Sequence, residues 1–223
     1  MCGRYSIGPE VASLAEKLKS ALPPEFVPHY NAAPSQHLPV VSNQQPGRVA
    51  MYQWGMVPFW AKEGAGSKQL INARAETVNE KSTFKRAFRT HRCLVLASGY
   101  YEWKKVSKGK EPYRITLADA SPFVFAGIWQ EPNENSNNKV PEYCIITTQA
   151  PKAIADIHDR MPVILDPAAW DFWMSDTEDY EGLQDVLRPL ADKQVQAYTV
   201  SKRVNNVQND DETLIEPAEA SHS

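Results

Sequence analysis

The chain lacks the features that would place it in several large classes at once. No apolar run approaches the roughly eighteen residues a membrane span needs, and Pro9 to Lys19, where a secretory signal would be looked for, is amphipathic and charged. Cysteine is sparse: Cys2, Cys93 and Cys144 form an odd set without CxxC spacing. That argues against a disulfide scaffold or a zinc site and for a reducing compartment. There is no glycine-rich phosphate loop, no βαβ alternation and no internal repeat. Excess positive charge is missing too: the net charge is −3 over 223 residues, so no global basic field draws the chain to nucleic acid. Any polyanion site must be a local cluster of Arg and Lys. The expectation is a soluble, cytoplasmic monomer without metal or cofactor and without membrane contact.

What is present is a chain 42% hydrophobic, enough for one sizeable core. Short β-like runs dominate: Gly3–Ile7, Leu38–Val41, Arg48–Trp54, Cys93–Ala97, Tyr113–Leu117, Phe123–Trp129, Tyr143–Thr148, Val163–Leu165 and Gln194–Val200. Tyr30 to Pro34 reads as a turn, and Lys104 to Lys110 as a charged hairpin tip. Helices are expected at Glu10–Leu22, stopped by Pro23-Pro24, at Thr83–Arg92 with its basic residues off the apolar side, at Pro167–Met174 capped by Asp166, and at Tyr180–Leu190. The pattern predicts an α+β fold, a single compact domain with mostly antiparallel, barrel-like β-sheets flanked by short helices. The domain is placed at residues 1–209, and residues 210–223, acidic and Ala-rich, read as a disordered tail.

The chemistry is concentrated in a few positions. Loss of Met1 would leave Cys2 with a free amine and a thiol on adjacent carbons, a 1,2-aminothiol suited to capturing an aldehyde as an imine and then as a five-membered thiazolidine. An α-amine of pKa roughly 7.7–8.0 is partly nucleophilic at neutral pH. Three polar residues interrupt apolar or aromatic stretches: Asn72 between Ile71 and Ala73, Glu102 between Tyr101 and Trp103, and His158 after Ile157. A desolvated Glu102 could shuttle protons, His158 could exchange them near neutral pH, and Asn72 could hold a hydroxyl or a carbonyl oxygen. Each has a plain alternative as a surface carboxylate, a turn histidine or a turn cap. Arg4, Arg74, Arg86, Arg160, Lys202 and Arg203 are candidate phosphate contacts or simple surface charges, and Trp60 could stack on a base or pack in the core.

Six blocks in order carry more information than any one residue. Met1-Cys2-Gly3-Arg4, Tyr30-Asn31-Ala32-Ala33-Pro34, Trp54-Gly55-Met56-Val57-Pro58, Ile71 to Thr77, Gly99-Tyr100-Tyr101-Glu102-Trp103 and Asp156-Ile157-His158-Asp159-Arg160-Met161-Pro162 resemble the SOS-response-associated peptidase family of abasic-site processing proteins. The resemblance runs from Cys2 to about Val207. It implies a DNA-damage protein that binds single-stranded DNA and forms a covalent thiazolidine cross-link with abasic sites. Cys2 would be the nucleophile, Asn72 would position the sugar, and Glu102 with His158 would form the acid–base pair, implicated also in removing Met1. It further implies phosphate contacts at Arg4, Arg74 and Arg160 and base contacts near Pro34 and Trp60, while Arg86 is a candidate from its charge alone. A bacterial member would associate with the nucleoid. Two other readings remain open from the residues: a thiol peptidase using Cys2 and His158, and a non-covalent single-strand binder that survives loss of Cys2.

Overall fold

The computed structural model describes residues 2–58, 69–132 and 139–218. Met1, Trp60 and residues 219–223 lie outside the described residues. Among the described residues, twelve strands form two sheets. The first combines β1 (Tyr5–Ile7), β2 (His29–Ala32), β7 (Gly99–Val106), β8 (Gly109–Leu117) and β12 (Val195–Thr199) in the order β12-β8-β7-β1-β2, with every pairing antiparallel. The second combines β3 (His37–Ser42), β4 (Val49–Trp54), β5 (Asn72–Arg74), β6 (Arg92–Ala97), β9 (Phe123–Gln130), β10 (Glu142–Gln149) and β11 (Arg160–Pro162).

The second sheet closes on itself. β4 pairs β3, β3 pairs β6, β6 pairs β9, β9 pairs β10, and β10 returns to β4 in parallel. Closure removes the exposed edges of these strands. The far half of β10 extends beyond the ring to pair β5 in parallel and β11 in antiparallel fashion. The expected α+β, barrel-like architecture is therefore present.

Aromatic residues join the sheets. Tyr5 of β1 meets Trp54 and Phe125 edge-on, with ring centroids 5.0 and 5.7 Å away, and its hydroxyl shares a buried 2.7 Å hydrogen bond with that of Tyr143. Each of these aromatics is at most 2% exposed, so together they anchor β1 to the ring.

Several elements differ from expectation. Helix α1 spans only Ala12–Lys17, preceded by a 3₁₀ turn at Pro9–Val11, because Lys19 takes a left-handed backbone (φ 53°) and turns the chain well before Pro23. Tyr30 and Asn31, expected in a turn, lie within β2, and the reversal falls at Pro34-Ser35, where Ser35 has φ 74°. The strand expected at Val163–Leu165 is displaced to Arg160–Pro162, where the ladder with β10 runs. Helix α2 (Ser82–Thr90) stops short of Arg92, which turns inward as the first residue of β6. Helices α3 (Trp170–Met174) and α4 (Tyr180–Asp185) are shorter than expected.

The largest correction concerns residues 210–218, which are packed rather than disordered. Leu214 is fully buried among Tyr101, Val200 and Val204, Pro217 bridges Val200, and the Asp210 carboxylate accepts from the backbone amides of Tyr30 and Asn31 at 2.5 and 2.8 Å. Arg203, expected to be available to a phosphate, instead binds Asp211 at 2.7 Å and Thr213 at 2.7 Å.

Candidate active site

The N-terminus is threaded into the middle of the first sheet. β1 lies between β2 and β7, with Tyr5 opposite Tyr100, and the ladder continues with the Tyr101 amide donating to the Arg4 carbonyl at 3.0 Å. Extending this antiparallel register brings Gly3 opposite Glu102, with Cys2 one residue beyond. Strand pairing alone therefore puts the second residue beside the one carboxylate that interrupts the aromatic run of β7.

Cys2 is fully buried, and its Sγ lies 3.7 Å from the Arg4 carbonyl. Burial pushes the thiol far up, and the neighbouring Glu102 charge pushes in the same direction. Asn72 reaches the same point from the second sheet. Parallel pairing with β10 places it opposite Ile145, and its Nδ2 donates to the Cys2 carbonyl at 2.8 Å. Its Oδ1 is buried without a hydrogen-bond partner among the described residues, leaving an acceptor beside the N-terminal segment.

Glu102 is 4% exposed. Burial raises its carboxyl above the usual range, with the charge of His158 opposing that shift. The His158 Nε2 lies 4.0 Å from Glu102 Oε2, within ion-pair reach but beyond a hydrogen bond. Two contacts compete for His158 Nδ1: the Arg160 backbone amide donates to it at 2.9 Å, while Asp159 Oδ1 lies 3.0 Å away. One nitrogen cannot accept from the first and donate to the second. Asp159 is 86% exposed and solvent-screened, so the backbone bond is the stronger of the two contacts.

The cations differ in how free they are. Arg4 lies 6.0 Å over the Trp103 ring, and its Nη1 donates to Asn31 Oδ1 at 2.8 Å and to the Val204 carbonyl at 2.9 Å. Arg160 makes a two-pronged pair with Glu76 at 2.7 and 2.9 Å and a third bond to the Thr147 carbonyl at 2.6 Å. This pair holds the Glu76 carboxyl below its usual range. Arg160 is therefore largely neutralised in place, whereas Arg74 is exposed at the end of β5. Pro34 is half-buried in the turn it makes with Ser35. Arg86 stands apart: it lines a groove of about 470 Å³ with Ser82, Thr83, His91 and Trp129, none of them a member of the Cys2 cluster.

Sequence reasoning missed Asn31 and Tyr100. Asn31 is fully buried, and its Nδ2 contacts the carbonyls of Val204, Asn206 and Asn209 at 3.2, 3.1 and 2.8 Å while its Oδ1 holds Arg4. Its signal, a polar residue amid apolar ones, is the signal that marked Asn72. Tyr100 shares the Glu102 face of β7, and its hydroxyl is buried and unpartnered among the described residues.

A family model described as SOS response associated peptidase (SRAP) matches residues 1–207. The chain belongs to this family. Among its SRAP relatives, the abasic site processing protein YoqW of Bacillus subtilis is 37% identical over 222 residues, spanning 97% of this chain and 99% of the relative. The abasic site processing protein YedK of Escherichia coli is 31% identical over 226 residues, spanning 97% of this chain and all of YedK. A crystal structure of a protein from Bacteroides thetaiotaomicron superposes with a TM-score of 0.85 at 23% identity, covering 97% of this chain and 100% of that one, and so shares the SRAP fold.

Proposed function

We propose that this SRAP chain acts in the response to DNA damage by capturing abasic sites in single-stranded DNA through Cys2. The observation that carries this reading is the convergence on the N-terminus. Asn72 binds the Cys2 backbone at 2.8 Å, and a buried Glu102 sits one strand away under His158. The names of YoqW and YedK as abasic site processing proteins support the same substrate class.

The chemistry balances without a cofactor. Hydrolysis of the Met1–Cys2 amide adds one water and frees the Cys2 amine, with Glu102 and His158 as the base and acid at hand. The amine adds to the aldehyde carbon of the ring-opened sugar, water leaves, and an imine forms. Sγ then adds to the imine carbon. A carbon–sulfur bond forms, the imine π pair moves onto nitrogen, and the thiol proton reaches that nitrogen by way of Glu102. Burial of Sγ fits this order, because the thiol stays protonated until a base removes its proton during ring closure. A resting thiolate of the peptidase type fits it poorly.

The deciding experiment incubates the protein with single-stranded oligonucleotide carrying one abasic site and resolves the product on a denaturing gel. The reading expects a heat-stable shifted band that disappears in Cys2→Ala and in a form that retains Met1. An equal shift in Cys2→Ala removes it, and turnover of peptide substrates by a form that retains Met1 would favour the thiol peptidase instead.

A further inference from the structure

The β7–β8 hairpin projects beyond its sheet. β1 covers β7 only as far as Tyr100 and Tyr101, and β12 covers β8 only from Tyr113 onward, so residues 104–111 form a two-stranded ribbon. Its two faces carry charge in different ways. On one face Lys104 stands opposite Glu111 and also binds Asp156, so its charge is matched. On the other, Lys105 stands directly opposite Lys110. Both are exposed, and none of the described residues pairs with either. Lys108 sits in the tight turn, and the 3₁₀ turn that begins with exposed Lys202 packs against β8.

Like charges directly opposite each other on a ladder destabilise it. Protection of ribbon edges explains lysines on a projecting hairpin. It does not explain two facing lysines when the opposite face shows a matched Lys–Glu pair one residue away. In a chain of net charge −3, this is an uncompensated local cation cluster. Its position is informative. Lys105 lies about 10 Å along β7 from Glu102, but a separation of three residues turns it to the opposite face of the strand. Trp103, two residues before Lys105, shares its face by strand alternation and carries the Arg4 guanidinium at 6.0 Å. Arg4, Lys105 and Lys110 thus form a cationic path leading away from Cys2.

From this geometry we infer that the facing pair Lys105 and Lys110 grips backbone phosphates of the DNA strand a few nucleotides from the captured lesion. The inference rests on the abasic-site reading above and names a contact surface within it. The grip is a phosphate contact without base recognition, so it adds affinity and salt sensitivity but no sequence preference.

The test compares Cys2→Ala with Cys2→Ala/Lys105→Gln/Lys110→Gln, so that cross-linking does not obscure equilibrium binding. Affinity for abasic single-stranded oligonucleotide is measured between about 50 and 200 mM salt. Each phosphate contact on a single strand contributes about 0.7 to the slope of log affinity against log salt, so the double substitution should flatten it by about 1.4. A trinucleotide centred on the lesion, too short to reach the ribbon, should show no difference. The substitutions remove a repulsive pair from an exposed ribbon, and an unchanged melting temperature verifies the fold. An unchanged slope on the long oligonucleotide, or an equal loss on the trinucleotide, overturns the inference. Failure of the unsubstituted chain to cross-link an abasic oligonucleotide would overturn the function reading instead, and the two results are read independently.

Discussion

Asn72 spans the two sheets to bind the backbone of Cys2: its Nδ2 donates to the Cys2 carbonyl at 2.8 Å. The side chain comes from β5, which β10 holds in parallel register, so the N-terminus of one sheet is fixed by a strand of the other. Asn72→Ala should leave the carbonyl without this donor. A hydrogen bond of this kind contributes about 1 kcal/mol net, and about 1.4 kcal/mol at the transition state is tenfold in rate. Single-turnover cross-linking should therefore slow by about fivefold. Asn72→Asp should be at least as slow, because an ionised carboxylate cannot donate to the carbonyl. A wild-type rate in Asn72→Asp would remove the contact from the mechanism.

Glu102 should impose a pH dependence on stability as well as on rate. Burial raises its carboxyl in the folded chain, so the folded state holds a proton over a range where the unfolded chain, with a value of about 4.3, has released it. Stability should accordingly fall as pH rises from about 4.3 through the raised folded value, and then level off. Glu102→Gln carries no such proton and should flatten that decline. The carboxylate base accumulates only above the raised value, so the acid limb of the cross-linking rate should carry a component above the ordinary carboxylate range that is lost in Glu102→Gln, leaving only the limb set by the Cys2 amine. Thermal melts and single-turnover rates across pH check both. A wild-type profile in the variant contradicts the assignment of Glu102 as the base.

How far these features could be read from the sequence depends on the distance over which they are specified. Alternating apolar residues fixed most strands, since a strand's burial pattern is local. Asn72, Glu102 and His158 were visible because polar residues in apolar runs need partners. Arg160 was legible as a cation but not as a neutralised one, because Glu76 lies 84 positions away in the chain. The composition of residues 210–218 is that of a free tail, yet Asp210 meets the amides of Tyr30 and Asn31, about 180 positions earlier. Composition carries no trace of such contacts. Arg92 was assigned to the polar side of a basic helix for the same reason.

The packed C-terminal segment leads to a truncation prediction. Ending the chain after Asn209 removes buried Leu214, worth about 1.5–3 kcal/mol, and the Asp210 carboxylate with its contacts to β2. A loss of about 3–5 kcal/mol is expected in denaturant unfolding. Asp210→Asn keeps one acceptor oxygen and should lose only about 1 kcal/mol. Because Asn31 follows Tyr30 in β2 and holds Arg4, the truncated chain should also cross-link more slowly at temperatures where it remains folded. A truncated chain as stable as the full one would mean the segment is merely laid on the surface.

Arg92 offers a test of a buried charge without a carboxylate partner. Its guanidinium is fully buried; Nε donates to the Trp173 carbonyl at 2.7 Å, Nη1 to those of Phe88, at 2.9 Å, and Arg89, and Nη2 to that of Ser175. These are the terminal carbonyls of α2 and α3, which helix geometry leaves without amide partners. One planar cation thus caps two helix C-termini, where the helix dipoles favour positive charge. Arg92→Met keeps the stem but leaves the carbonyls unpaired, at about 1–3 kcal/mol for a buried polar group, so a total loss of about 3 kcal/mol or more is expected. Arg92→Lys retains the charge but replaces the planar fork with a compact ammonium that cannot span both helices, and should fall between Met and wild type. Denaturant unfolding ranks the three forms. The cross-linking rate of the folded Lys variant should stay near wild type, because α2 and α3 contribute nothing to the Cys2 cluster; a Met variant as stable as wild type would show that the two helix ends are satisfied by other means.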